Sequence, residues 1–151
     1  MNKIHRLKNA TPYAVDYAQW CAEQGALLRE GRFTDLDREN LAEEIESLGR
    51  SDRREIENRL KVLLVHLLKY KYQQEGRSGS WKATIREQRA RIAKLLKESP
   101  SLGFYPAKVL PEEYSFAKPE AATETGLPED AFPVECPFSI SELLDLAFYP
   151  E

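Results

Sequence analysis

The chain contains no apolar run approaching the roughly 18 residues that a membrane-spanning helix needs. Its opening stretch, MNKIHRLKNATPY, has basic residues but no apolar segment behind them, so a secretory signal is not expected either. Cysteine is scarce: Cys21 and Cys136 are too few for a disulfide framework or a four-cysteine zinc site. Free thiols in a reducing cytoplasm are the expected state. Histidine is equally sparse, with His5 near the start and His66 among leucines. Alternating strand-like runs are missing. So are G-x-S-x-G, the phosphate-binding P-loop and G-x-G-x-x-G. Most serines (Ser51, Ser78, Ser80, Ser99, Ser101) read as caps and turns, where the hydroxyl already has a structural task. Nothing nominates a catalytic nucleophile, and no cofactor is expected.

What is present fits one globular domain: 151 residues, 42% hydrophobic and 31% charged. The formal charge of −3 hides a segregation. Residues 1–49 hold 6 Lys/Arg against 9 Asp/Glu, residues 50–97 hold 14 against 5, and residues 98–151 hold 2 against 11. The middle block can serve a polyanion, or the acidic segments can fold over it and neutralise it.

Apolar residues recur at helical spacing through the first hundred positions. Residues 1–11 read as a mobile tail. Thr11-Pro12 reads as a cap and first position of a helix whose stripe is Tyr13, Tyr17, Trp20, Leu27 and Leu28, with Cys21 on the same buried side and Gly31 as its left-handed end. Thr34 predicts the cap of a second helix, stopped by Gly49 after Leu48. Ser51 predicts the cap of a third, running to about Gln74. In that helix LKVLLVHLLKY is apolar nearly all round, which suits burial on several sides. The glycine loop QEGRSGS leads into a fourth helix over about 81–97, closed by SPS. Short connections predict an all-α bundle of four main antiparallel helices. Beyond residue 100, Pro106, Pro111 and Pro119 predict interruption, with PEEYSFAK and PEAATETG as separate short helices. Ser139 and Glu142 predict a capping box before ISELLDLAF.

The segments ENLAEEIESLGRSDRREIENRL, HLLKYKYQ, RSGSWKATIREQRARI, SPSL, ETGL and FPVECPFS follow one another in an order that resembles the bacterial domain-of-unknown-function family 29. The resemblance runs from about Tyr17 to Pro150. It implies a small, mostly helical cytoplasmic protein, carries no catalytic residues over, and implies a more continuous helix where Pro111 and Pro119 stand.

Three surfaces compete for a function. Glu39, Glu43 and Glu46 share one face of the second helix, opposite its apolar stripe of Leu41, Ile45 and Leu48. They are expected to pair with Arg86 and Arg89 and so fix the order of the helices. Alternatively, Glu43, Glu46 and His66 could converge from neighbouring helices on a divalent metal. The fourth helix has an apolar stripe (Trp81, Ile85, Ile92, Leu95, Leu96) and a basic face. Arg77, Lys82, Arg86, Arg89 and Lys97 could lie along nucleic-acid phosphates, with Arg91 and Lys94 further round. The favoured expectation is a non-enzymatic interaction protein, bound to a protein partner or to itself and not to a membrane.

Overall fold

The computed structural model describes residues 10–151, so most of the expected mobile tail, with His5, lies outside the described residues. The described residues form helices and connecting turns, with no strand among them. The all-α bundle expected from the periodicity is what forms. Its α-helices are α1 (Tyr17–Arg29), α2 (Arg38–Tyr72), α3 (Gly79–Glu98), α4 (Tyr105–Thr125) and α5 (Ile140–Leu144). Two compact units result, one reaching to Arg50 and the other running Ser51–Glu151.

In the first unit, α1 begins later than Thr11-Pro12. Asp16 is its cap, accepting from the Gln19 amide at 3.0 Å. Thr11 instead donates from its backbone N and Oγ1 to Glu23, at 2.9 and 2.8 Å. Gly31 has φ +72° and closes the helix as expected. Thr34 falls inside the single turn Phe33–Asp35 and caps nothing. The start of α2 is held by Asp37, whose carbonyl takes the Leu41 amide at 2.9 Å and whose carboxylate takes the Asn40 side chain at 2.8 Å.

The largest departure is α2 itself. Its 35 residues pass through Gly49 and Ser51 without a break, merging the two expected helices. Gly49 is not in the left-handed region, and a Cβ there would meet nothing within 4 Å. The glycine costs the helix about 1 kcal/mol relative to alanine, too little to terminate a long helix by itself. Arg50 also spans the weak point, reaching back to Glu43 at 2.7 Å and Glu46 at 3.9 Å.

The second departure is α4, one helix of 21 residues with Pro111 and Pro119 inside it. A proline removes the bond to the carbonyl four residues back, here Ala107 and Ser115. Both prolines and both of those residues are exposed, so water can serve the freed carbonyls. The opposite face (Tyr105, Val109, Tyr114, Ala117, Ala121) is buried and keeps the helix continuous through the interruptions. Gly126, at φ +75°, ends it.

The second unit's core is built on Ile56, Leu60, Leu63, Leu64, Leu67 and Leu68 of α2, all fully buried, with Ile85 and Ile92 of α3 and Leu143 of α5. Arg59 bonds Gln88 while Lys69 lies over Trp81, so α3 runs antiparallel to α2. Glu57 meets Tyr105, Lys61 meets Glu120 and Lys69 meets Glu124, so α4 runs parallel to it. This is the up-down-up order that short connections impose. The capping box of Ser139 and Glu142 forms as expected, although α5 stops at Leu144, four residues short of Phe148.

One carboxyl on the buried face of α4 stands out. Glu113 is 7% exposed, and burial pushes it above the usual carboxylate range; Glu57 and Glu112 add to this and Lys61 opposes it. A carboxyl raised in the folded state binds its proton more tightly there than in the unfolded chain. Stability is therefore lost as pH rises through the folded-state value. Glu113→Gln should raise the melting temperature at neutral pH and lose that advantage in acid. Thermal unfolding followed by circular dichroism at both pH values checks this; an equal shift at both would assign the gain to packing.

Candidate interaction surfaces

The first unit has few buried side chains. Only Trp20 and Gln24 are buried among residues 10–50. Trp20 packs edge-on against Tyr13 at 4.8 Å and donates its indole N–H to Asp37 at 3.0 Å. The Gln24 side chain accepts the Asp37 backbone N–H at 2.8 Å. Tyr13 and Tyr17 both donate to the Glu44 carboxylate, Tyr17 at 2.6 Å. Those two hydroxyls hold the Glu44 carboxyl below its ordinary range, and the carboxylate in turn raises both phenols. A pair of tyrosines four residues apart was visible in the sequence. Nothing there pointed to Glu44, 27 and 31 residues further along.

With so little cover, the expected apolar stripes are only partly used. Tyr17 and Leu28 are about half exposed, and Cys21, expected on the buried side, is exposed. Ile45 and Leu48, one turn apart on α2, are 67% and 69% exposed. On the opposite face of α2 Glu39, Glu43 and Glu46 are exposed as well, and the ion pairs of Glu43 and Glu46 run to Arg50 on their own helix. Residues 10–50 hold nine Asp/Glu against four Arg, so this apolar face sits in an acidic field.

The metal expectation needed Glu43, Glu46 and His66 on neighbouring helices. All three lie on α2, and His66 is held by its Nδ1 against the Val62 carbonyl at 2.9 Å. Among the described residues no group of three or more His, Cys, Asp or Glu is placed to hold a metal ion. Cys136 lies in the second unit with its thiol pushed up by burial, the opposite of an activated nucleophile.

The basic face of α3 is divided. Arg89 is 2% exposed, donating from Nε to the Leu143 carbonyl at 2.7 Å and from Nη2 to Glu142 at 3.2 Å. These carbonyls close α5, so Arg89 caps a helix end and is withdrawn from both phosphate contact and the expected pairing with a glutamate. Arg77 donates to the Tyr70 carbonyl at 2.7 Å and the Pro150 carbonyl at 3.1 Å. Lys82 remains exposed with its ammonium over Tyr149 at 5.6 Å. Arg86, Lys94 and Lys97 are exposed, and Arg91 faces Glu87 at 3.8 Å. The stripe thus divides into exposed cations without an ion pair among the described residues (Arg86, Lys94, Lys97) and cations held against residues 142–150 (Arg77, Lys82, Arg89). Cross-helix charge pairing does occur, but through Lys61–Glu120 and Lys69–Glu124, which tie part of the basic block to the acidic C-terminal segment.

A further feature was not legible in the sequence. Ser51, Arg54, Glu55, Asn58, Arg59 and Val62 line one side of an open groove of about 340 Å³, and the buried Gln88 of α3 closes the other. No helix among the described residues is long and apolar enough to cross a membrane. Compared with known proteins, residues 12–149 match the family described as "Domain of unknown function DUF29". No curated protein and no solved structure matches the chain.

Proposed function

The chain belongs to the DUF29 family, and from that premise we propose that it is an interaction protein whose acidic N-terminal unit docks a basic amphipathic helix of another protein. The observation that carries this reading is the exposure of Ile45 and Leu48 side by side on α2, in a unit whose residues 10–50 hold nine Asp/Glu against four Arg. An apolar ridge on an acidic unit is complementary to an apolar ridge flanked by lysine or arginine. A second copy of the same face would bring like charges together, so a basic partner fits better. Docking two turns of helix buries a small area, which suits a weak, salt-sensitive encounter.

A fluorescein-labelled helical peptide of leucine and lysine tests it by anisotropy, beside a leucine–glutamate peptide of the same pattern. Only the basic peptide should bind, and Ile45→Asp with Leu48→Asp should weaken it at least tenfold. Equal binding to the double variant would reduce the effect to general charge attraction and overturn the reading. Sedimentation showing a dimer abolished by the same two substitutions would assign the face to a second copy instead.

A further inference from the structure

We propose that the groove between α2 and α3 in the second unit is a binding site for a small molecule carrying a phosphate group. The groove shares no residue with the Ile45–Leu48 face and is independent of the function proposed for it. Its lining residues on α2, Ser51, Arg54, Glu55, Asn58, Arg59 and Val62, follow helical spacing and so present one continuous face. Gln88 faces them from α3.

The polar groups of this groove are arranged in two ranks. Arg59 belongs to the inner one. It is fixed by Glu55 one turn back at 3.4 Å and by the Gln88 side-chain oxygen at 3.3 Å. That pairing uses up the only carboxylate in the lining. It also settles the orientation of Gln88: with Oε1 accepting from Arg59, the amide nitrogen has no partner among the described residues and is left to donate. Gln88 is 92% covered overall, so this donor is presented from a rigid position.

The outer rank is Ser51, Arg54 and Asn58. Arg54 is exposed and makes no ion pair among the described residues, and Asn58 makes no hydrogen bond among them. Two guanidinium groups, two amide donors and a hydroxyl therefore face a space whose one acid is already neutralised. The net positive charge and surplus of donors select an anion over a cation. A guanidinium fork with converging amides suits the tetrahedral oxygens of phosphate. A volume of about 340 Å³ admits a phosphate with a small organic substituent, at the lower end of ordinary ligand sites.

Titration of the full chain with inorganic phosphate at constant ionic strength, followed by side-chain NMR signals of Arg, Asn and Gln, tests the proposal. Saturable shifts are expected at Arg54, Asn58 and Gln88. Arg54→Gln and Gln88→Leu should each weaken binding at least tenfold. Arg54 is exposed, so its variant keeps the fold, and an unchanged far-ultraviolet circular dichroism spectrum verifies that. Unsaturable shifts, the same response to chloride, or undiminished affinity in Arg54→Gln would overturn the assignment.

Discussion

Replacing Arg89 by methionine should cost about 3 kcal/mol or more of unfolding free energy. The side chain donates to the buried Leu143 carbonyl and the half-buried Glu142 carbonyl, and hydrogen bonds to a charged group are worth about 1.5–3 kcal/mol each. Methionine fills a similar volume but leaves the Leu143 and Glu142 carbonyls without those donors. It also removes the guanidinium that lies 5.6 Å from the Tyr149 ring. Arg89→Lys should recover less than half of the loss, because a single ammonium does not reproduce the planar fork that spans two acceptors. Burial already pushes the Arg89 guanidinium below its ordinary range, so the native contacts work against a desolvation cost. Urea unfolding monitored by circular dichroism gives the comparison. A loss under 1 kcal/mol for methionine would mean that α5 does not depend on this cap.

The second large effect is expected at Trp20. Trp20→Ala should cost the first unit about 3–5 kcal/mol, the usual range for truncating a buried tryptophan. The indole fills most of that unit's small core and ties α1 to Asp37 at the start of α2. With two buried side chains among its described residues, the unit has little reserve against such a cavity. Amide exchange should then become fast through Tyr17–Arg29, while the second unit, with its own leucine core, keeps its protection. Uniform loss of protection along the whole chain would show that the two units unfold together. Trp20→Phe separates the contributions: it restores much of the volume but not the N–H to Asp37, so it should recover part of the loss.

Secondary structure was legible where it depends on local chemistry. Helical periodicity, the left-handed Gly31, the Ser139–Glu142 capping box and the leucine-rich segment of α2 follow from propensity and spacing that neighbours in sequence supply. The two largest failures came from reading weak local signals as decisive. Gly49 and the prolines of α4 each cost their helix something, but a continuous buried face or a bridging arginine outweighs that cost, and neither is visible from the residue itself.

The fate of the charges required the tertiary structure. The sequence by itself determined that a basic block lies between two acidic ones, and it offered a polyanion or internal neutralisation as outcomes. Only the packing of α5 against α3 decided that Arg89 serves carbonyls and that Arg86 and Lys97 face water. The metal trio failed for a related reason: merging two expected helices into α2 removed the turn that would have brought Glu43 and Glu46 beside His66. Periodicity assigns a residue to a face of its own helix, but what that face meets depends on long-range contacts. The exposure of Ile45 and Leu48 and the groove beside Arg54 belong to that second class.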